Sequence, residues 1–204
     1  MSGSSDSTVR HRYAARDGLT SAFTRPYFLN LLADECRFAG EMGKPCCVCL
    51  VDIDQLRKIN EESGLSAGDE TLAWVAETVR MALDLPQWRN LRCLLGRYDG
   101  DCLILLMPGC RLHRAEQFAH VLKRRIAARE RGEQHVTASI AVTAFKADDT
   151  VDDLLTRAEK TMCLAKQFGG SGVEVARTAE LTRELASVTR LPVTWQGRTA
   201  KKSA

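Results

Sequence analysis

The residues best suited to chemistry lie at the ends of two apolar segments. Asp52 and Asp54 close the run CCVCLVDID, and Asp99 and Asp101 flank a glycine in GRYDGDCLILLMP, where Cys102 follows directly. Carboxylate oxygens are hard ligands that suit cations such as Mg²⁺, whereas aspartates in turns are also common as plain solvated residues. Residue type alone does not distinguish a cation ligand from a solvated turn residue. The distances between these aspartates depend on the strands and turns that carry them.

Both acidic segments lie on predicted strands. Pro45 opens a continuous apolar run of strand length, which predicts a central strand with Asp52 and Asp54 at its exit, facing the rim of the sheet. Residues 91–98 and 102–107 predict a hairpin, because Asp-Gly between two apolar runs is a strong turn signal in which glycine supplies the positive φ that a tight turn needs. The sequence therefore places its acidic residues at strand ends.

Apolar residues at helical spacing predict helices between these strands. The first begins at the Arg-Pro dipeptide of RPYFLNLL, and a later helix of about 20 residues has Ser66 as its expected N-cap. Thr150 or a neighbouring aspartate caps a helix over residues 151–167. A helix over residues 113–131 carries a basic face, which a solvated surface explains better than an anion site does. Its cations are Lys123, Arg124, Arg125, Arg129 and Arg131.

The segments VTASIAVTAF and VEVA complete the predicted sheet. Strands interrupted by helices, with a hairpin at the centre, predict an α/β domain whose sheet has strands of mixed direction. The glycine-rich loops GxxxxGK[ST] and GxGxxG are absent from the sequence, so the nucleotide-binding folds built on those loops are not supported.

Length and composition predict one packed domain with two tails. The 204 residues, 45% hydrophobic and 27% charged, suffice for a single core. We place this core at residues 16–177, between a flexible N-terminal tail at residues 1–15 and a C-terminal helix or basic tail at residues 178–204. The net charge of +3 demands no nucleic-acid partner. No apolar run suits a membrane span or a secretory signal, which predicts a cytoplasmic protein without a membrane partner.

Eight cysteines are scattered through apolar segments, where reduced and buried thiols are the ordinary state. The two-residue period of a strand puts Cys47 and Cys49 on one face and Cys46 on the other. No second pair of cysteines or pair of Cys and His lies nearby to complete a tetrahedral metal site. The cysteines therefore predict core packing rather than metal binding.

Four segments occur in an order that is typical of one protein family. They are DGLTSAFTRPYF, VDIDQLRKINEESGLSAGD, VTASIA and AEKTMCLAKQFGG. Together they resemble the motifs DxLTxxxNRxxF, DIDxFKxINDxxGHxxGD, VTxSIG and ADxALYxAKxxGRN of the GGDEF family, the diguanylate cyclases that make cyclic di-GMP from two GTP molecules. The resemblance covers about residues 15–176 and implies a nucleotidyl-cyclase-like fold, with a mainly antiparallel sheet flanked by helices.

The segment GRYDGDCLI falls on the signature of that family, RYGGDEF. Asp99 stands at the first glycine and Gly100 at the second. Asp101 stands at an acidic metal ligand, Cys102 at the glutamate and Leu103 at the phenylalanine. The resemblance thus implies that Cys102 replaces a catalytic carboxylate. An unperturbed thiol has a pKa of about 8.5 and is mostly neutral at pH 7, so it does not supply the charge of the glutamate.

The resemblance implies a site for Mg²⁺, or for Mn²⁺ in its place, made by Asp52, Asp101 and the main-chain carbonyl of Ile53. Hard oxygen ligands from two chain segments, completed by phosphate oxygens and water, suit this cation. Either aspartate on its own is equally well explained as a strand end or a turn in solvent.

The resemblance also implies residues that bind GTP. Asn60 and Asp69 correspond to residues at the guanine edge, whose donors and acceptors an amide and a carboxylate can meet. A helix-end cap and a first-turn acid are the structural alternatives. Lys166 corresponds to a phosphate-contacting lysine, and Arg57 replaces a lysine, keeping its charge but not its shape. Gly100 is a further nucleotide-binding position that the resemblance implies, whereas the side chain of Asp99 occupies space that a glycine leaves for a nucleotide to approach the backbone.

Several positions depart from the family in ways that bear on turnover. Gly170 stands where the family has a phosphate-contacting arginine. Loss of one preorganised electrostatic group, as at Cys102, commonly lowers the rate by about 10²–10³. A carboxylate at Asp99, about 4 Å from a phosphate, is repelled by about 4 kcal/mol at an effective dielectric constant of about 20. The product-inhibition motif RxxD is also absent, since Arg89 and Arg92 have no aspartate three residues on.

These departures predict a degenerate GGDEF domain, a pseudoenzyme with little or no cyclase activity that serves cyclic di-GMP signalling as a GTP-binding or protein-contact module with an unidentified regulatory partner. The alternative is an active cyclase that works as a homodimer on two GTP molecules. A third interpretation is a binding module whose pocket takes no GTP. In the C-terminal tail, apolar residues at near-helical spacing predict either a partner contact or packing on the domain itself. They are Leu181, Leu185, Val188 and Leu191.

Overall fold

A computed structural model of the chain describes residues 15–128, 135–167 and 169–177. Its strands are β1 (Cys46–Ile53), β2 (Leu94–Asp99), β3 (Cys102–Pro108), β4 (Ala138–Ala144) and β5 (Val173–Val175). They form one sheet in the order β2-β3-β1-β4-β5, antiparallel at every pairing except that of β4 with β5. The mixed and mainly antiparallel sheet expected from the sequence is confirmed.

Helices cover both faces of the sheet. They are α1 (Arg25–Met42), α2 (Leu56–Ser63), α3 (Leu65–Leu83), α4 (Leu112–Ala128) and α5 (Val151–Lys166). Helices α3 and α4 pack on one face, around Leu72 and Phe118, and α1 and α5 pack on the other, around Phe28 and Met162. The sheet thus separates two apolar cores, which is why β1 is buried along its whole length.

The residues of β1 alternate between the two cores. Cys47 and Cys49 join the core under α3 and α4, whereas Cys46 joins the core under α1 and α5, as the period of a strand predicts. All eight cysteines are free thiols. The strand expected after Pro45 is confirmed, with both of its faces buried.

Local signals set the helix ends in one case and mislead in another. Thr150 and Asp153 form a capping box at the start of α5, in which each side chain accepts a hydrogen bond from the N–H of the other residue, at 3.1 and 2.9 Å. The expected N-cap Ser66 is wrong. Helix α3 begins at Leu65, because Gly64, with a φ of +86°, ends α2 and starts α3 in one step.

The β2–β3 hairpin forms as predicted, although β2 starts later than expected, at Leu94. Gly100 and Asp101 make its turn, and neither has a positive φ, so the conformation expected for the glycine is wrong. The register shifts by one residue between Arg97 and Asp99, which is a β-bulge. Because a bulge increases the local twist, the two strands meet here without a left-handed turn residue.

Some predictions fall on residues outside the described ranges. These are the N-terminal tail up to residue 14, the C-terminal segment 178–204 with its four apolar residues, and the cations Arg129 and Arg131 of the basic helix. Among the helices within the described ranges, none has the length and apolar character needed to cross a membrane.

Candidate nucleotide and metal site

Strand register places Asp52 beside the signature hairpin. In the sheet, Asp52 of β1 lies opposite Cys102 of β3 on one side and opposite Ser139 of β4 on the other. Asp52 is only 1% exposed. Asp52 thus lies at the exit of the central strand, as expected, but it is covered rather than facing an accessible rim, because the end of α5 packs against it.

Lys166, the last residue of α5, reaches Asp52. Its Nζ lies 2.5 Å from Asp52 Oδ1, and the side chains of the lysine and the aspartate are 32% and 2% exposed. Burial raises the pKa of Asp52 to about 6; Lys166 opposes the rise, and the charges of Asp101 and Asp54 add to it. Three residues predicted for the site, Asp52, Asp101 and Lys166, are thus brought together, with the lysine paired to the aspartate.

Cys102 faces Asp52 as a buried, neutral thiol. It is 2% exposed, and its Sγ lies 3.6 Å from the carbonyl oxygen of Leu103. Burial raises the pKa of this thiol well above its ordinary value, and the negative charges of Asp52 and Asp101 raise it further. Cys102 consequently carries no negative charge at neutral pH, and this position contributes no carboxylate to the site.

Arg97 holds the turn of the hairpin, a role that sequence analysis missed. Its guanidinium donates to the carbonyl oxygen of Gly100 at 2.8 Å and to Asp17 Oδ2 at 2.9 Å. Asp17 Oδ1 in turn accepts hydrogen bonds from the N–H and the hydroxyl of Thr20. Burial opposes ionisation of Asp17, but the hydrogen bonds from Thr20 and Arg97 outweigh it and lower the pKa of Asp17. The DGLT segment therefore serves to fix the signature turn.

Tyr98 and Asp99 occupy the bulged end of β2. Tyr98 is buried, and its hydroxyl donates to Glu159 Oε1 of α5 at 2.5 Å. Asp99 is half-buried, lies opposite Cys102 across the hairpin and accepts a hydrogen bond from the N–H of Gly100 at 2.9 Å. The carboxylate that stands in place of a glycine thus folds back onto its own turn.

Asp54 is held by neutral donors. Its carboxylate accepts hydrogen bonds of 2.7 Å from the hydroxyls of Thr137 and Ser139 and from the N–H of Ser171. The sequence predicts no role for Asp54 in the site, since these partners lie 83, 85 and 117 residues away along the chain. The contacts tie the end of β1 to the start of β4 and to the turn after α5.

The turn after α5 is fitted to Asp54. Gly169, Gly170 and Ser171 have φ values of +92°, +90° and +56°. A Cβ added to Gly170 would lie 2.6 Å from Asp54 Oδ1. An arginine at residue 170 therefore does not fit the turn as it stands, because both the left-handed backbone and the carboxylate exclude a side chain.

Asn60 and Asp69 lie on either side of the junction of α2 and α3. The side chain of Asn60 packs so closely on Gly68 that a Cβ on this glycine would lie 1.8 Å from Asn60 Oδ1. Asp69 follows Gly68 directly and is exposed. Gly64 makes the junction, and its N–H donates to the carbonyl oxygen of Asn60 at 3.0 Å. The structure therefore brings an amide and a carboxylate near each other at an exposed edge.

Arg57 is directed along the surface of α2. Its Nε lies 2.8 Å from Glu61 Oε1, one turn further along the helix, and its side chain is 84% exposed. An exposed pair of this kind is weak and exchanges easily. Arg57 is thus available to an external anion but is not fixed in position by the site.

The donors expected for a divalent cation are Asp52, Asp101 and the carbonyl of Ile53. They are hard oxygen ligands of the kind that Mg²⁺ prefers, and Asp101 lies near enough to Asp52 to raise its pKa. Within the described ranges, no three side chains of His, Cys, Asp or Glu are grouped so that they could hold a metal ion. The residues therefore fit the cation in kind, with oxygens from a ligand needed to complete the set.

Comparison with known proteins places the chain in a family. The model of the diguanylate cyclase GGDEF domain matches residues 14–171. The response regulator PleD of Caulobacter vibrioides is 33% identical over 171 residues, which are 78% of this chain and 36% of PleD. The chain spans well under half of the length of the curated relatives it matches.

Two solved structures resemble the fold. The coiled coil and GGDEF domain of DgcB from Caulobacter crescentus, in complex with c-di-GMP, has a TM-score of 0.74 at 23% identity, covering 83% of this chain and 89% of that one. Diguanylate cyclase SiaD of Pseudomonas aeruginosa, in complex with its activator SiaC, has a TM-score of 0.72 at 26% identity, covering 84% and 65%. Since the family model matches most of its length, the chain belongs to the GGDEF domain family of diguanylate cyclases.

Proposed function

We propose that the chain is a degenerate GGDEF domain that binds GTP, makes little or no cyclic di-GMP and acts in cyclic di-GMP signalling as a regulatory module. The observation that carries this proposal is Cys102, a buried and neutral thiol at the position of the family's catalytic glutamate and directly opposite Asp52. Loss of one preorganised charged group in a phosphoryl-transfer site lowers the rate by about 10²–10³.

Two further positions weaken turnover. Asp99 adds a carboxylate to the hairpin at the place of a glycine, and its charge opposes the approach of a phosphate. Gly170 removes a phosphate-binding cation, and the turn around it is built so that no side chain fits there. Asp99 adds a negative charge and Gly170 removes a positive one. Together with the loss of the carboxylate at Cys102, these changes disfavour a triphosphate bound in its reactive geometry.

GTP binding is supported by the groups that remain. Asn60 and Asp69 present an amide and a carboxylate for the guanine edge at the junction of α2 and α3. Lys166 supplies an ammonium for a phosphate, Arg57 supplies an exposed guanidinium, and Gly100 has open space where a Cβ would be.

Asp52, Asp101 and the carbonyl of Ile53 would hold Mg²⁺ or Mn²⁺ together with oxygens of the nucleotide. When bound, the cation would supply positive charge to the phosphates. Asp52 is preorganised for this role by the strand that carries it, whereas Asp101 lies in the turn that Arg97 fixes.

A protein partner is supported by a related protein of the same fold. SiaD was solved in complex with its activator SiaC, so a GGDEF protein can form a stable complex with a regulatory protein. We assign this chain a regulatory protein as its partner. A homodimer of the chain is the second assembly to test.

The competing function is an active diguanylate cyclase. It is favoured by Asp52 and Asp101, which remain close enough for the charge of one to raise the pKa of the other. The deciding experiment incubates the full chain at high concentration with GTP and Mg²⁺ or Mn²⁺ and resolves the nucleotides by chromatography. We expect unchanged GTP; cyclic di-GMP that disappears in Asp101→Ala would establish the active enzyme instead.

Restoring the signature sharpens this experiment. In the double variant Asp99→Gly with Cys102→Glu, the missing carboxylate returns and the extra one is removed, so we expect cyclic di-GMP to form where the wild type makes none. Asp101→Ala in the restored background should abolish it again, which excludes a contaminating cyclase.

GTP binding is tested separately by calorimetry. Asn60→Ala should lower the GTP affinity by about tenfold, because a side chain that hydrogen-bonds to a base edge contributes an effect of this size. Asn90 is exposed, and Asn90→Ala is the control that should leave the affinity unchanged. Absence of GTP binding to the wild type would remove the nucleotide from the proposal and favour a pure protein-contact module.

A further inference from the structure

The ion pair between Lys166 and Asp52 occupies the place where the cation is expected. The ammonium lies 2.5 Å from Asp52 Oδ1, and the lysine side chain is 32% exposed while the aspartate side chain is 2% exposed. Solvent therefore reaches the pair from the side of the lysine. A cation that approaches Asp52 from solvent meets this ammonium first.

The existing ion pair opposes a cation that arrives without a nucleotide. Asp52 and Lys166 neutralise each other and Cys102 is neutral, and the other carboxylates that act on Asp52 are Asp101 and Asp54, the second already held by three neutral donors. A divalent cation has to displace the ammonium from a buried carboxylate and leaves Lys166 without its partner. Removing one member of a buried pair carries a penalty even when the new contact is favourable.

Lys166 is fixed at its backbone but adaptable along its side chain. Just after α5, the N–H of Ser171 donates to Asp54 at 2.7 Å, and Gly170 packs against the same carboxylate. A lysine has a flexible four-carbon stem with rotatable donors, so its ammonium can turn to a second anion without backbone movement. A nucleotide phosphate bound beside Asp52 is such an anion.

We propose that Lys166 and a divalent cation compete for Asp52, so that the site takes up the cation readily only when a nucleotide phosphate offers the ammonium another partner. This inference rests on the proposed nucleotide binding and states how that binding affects the affinity for the cation. Cation and nucleotide binding are positively coupled through one lysine, and the coupling acts equally in both directions.

The first test uses the metal alone. Mn²⁺ is titrated without nucleotide into the full chain and free Mn²⁺ is followed by electron paramagnetic resonance, for the wild type, Lys166→Met and Lys160→Met. Lys166→Met should bind Mn²⁺ more tightly by about tenfold, within the usual range for coupled sites. Lys160 lies exposed on the same helix, and Lys160→Met should behave as the wild type. Equal or weaker binding in Lys166→Met, or no binding in either protein, overturns the proposal.

A second measurement does not depend on the folding of Lys166→Met. Reductive methylation with isotope-labelled formaldehyde marks the lysines for NMR and keeps their charge. Lys166→Arg retains a cation next to Asp52 and identifies the Lys166 signal by its loss. Mg²⁺, raised without nucleotide to concentrations at which the Mn²⁺ titration shows the site to be occupied, should shift the Lys166 signal and leave the signals of the other lysines in place. A Lys166 signal that stays fixed although the metal is bound overturns the proposal.

The two proposals fail in different ways. Both measurements above use metal without nucleotide, so a chain that does not bind GTP can still show the competition. Conversely, an unchanged Mn²⁺ affinity in Lys166→Met removes the competition and leaves the result of the GTP titration as it is.

Discussion

Asp52 and Asp54 close the same strand two residues apart, yet their surroundings differ. Both are buried, at 1% and 9% exposure. Asp54 accepts three hydrogen bonds from neutral donors, whereas Asp52 pairs with one ammonium, that of Lys166, and burial followed by the charges of Asp101 and Asp54 raises its pKa. A carboxylate surrounded by N–H and O–H donors is satisfied, while a buried carboxylate with a raised pKa and one ammonium partner favours additional positive charge. The comparison separates a structural aspartate from one suited to binding a cation.

Asp149 shows that the kind of cation matters as well. Arg157 Nη1 lies 3.0 Å from Asp149 Oδ1, and Nη2 bonds to Oδ2, so the guanidinium contacts both carboxylate oxygens. Burial opposes ionisation of Asp149, but hydrogen bonds from Arg157 and from the N–H of Lys146 lower its pKa. A bidentate arginine satisfies a buried carboxylate that a single lysine contact, as at Asp52, does not.

The largest expected effect comes from removing the satisfied carboxylate. Asp54→Ala leaves Thr137, Ser139 and the N–H of Ser171 without their acceptor and should lower the free energy of unfolding by about 3 kcal/mol or more. Asp52→Ala should lower it by about 1 kcal/mol, because burial of an ionised Asp52 is itself unfavourable. Urea unfolding followed by circular dichroism compares the two variants. A greater loss for Asp52→Ala would reverse the roles assigned to these aspartates.

The fold is predicted well from the sequence, because the signals for its helices, strands and turns each involve residues close together in the chain. The apolar run of β1, the capping residue Thr150 and the Asp-Gly turn each act within a few residues. The errors arise where a neighbouring element intervenes. Ser66 is not an N-cap because Gly64 joins two helices directly, and Gly100 needs no positive φ because a bulge precedes it.

The site is predicted less completely, since its contacts are distant in sequence. Asp52, Asp101 and Lys166 could be placed together through the family resemblance, but the ion pair between Asp52 and Lys166 joins residues 114 positions apart and has no local signal. The same is true of Arg97 with Asp17, which are 80 positions apart. Tertiary packing decides which aspartate is satisfied, and the sequence shows only that both are present.

A pH series sharpens the contrast at Asp149. Asp149→Asn should lower the free energy of unfolding by about 2 kcal/mol at pH 7, because the charge-assisted contacts of Arg157 are lost. The pKa of Asp149 is lowered in the folded protein, so ionisation stabilises the fold above the unfolded pKa, at about pH 4, and this contribution disappears as the pH falls through the folded pKa. Urea unfolding should show the gap between wild type and variant closing below about pH 4. A gap of constant size down to about pH 3 would contradict the assigned contact.

A smaller effect than that of Asp149→Asn tests whether Asp54 holds the turn after α5. Gly170→Ala should lower the free energy of unfolding by about 1–2 kcal/mol, since residue 170 has a φ of +90° and the new Cβ would press on Asp54 Oδ1. Gly100→Ala is the matched control, because Gly100 has no positive φ and no atom within 4 Å of an added Cβ. Its effect should stay within about 0.5 kcal/mol.

The Asp54→Ala background turns this effect into a measure of coupling. Without the carboxylate, Gly170→Ala retains the strain of its backbone but no longer meets Asp54, so its effect should shrink to about 1 kcal/mol or less. The two changes would then be non-additive, as expected for residues in contact. Additive effects would mean that the turn keeps its shape independently of Asp54, and the backbone next to Lys166 would then be positioned by α5 alone.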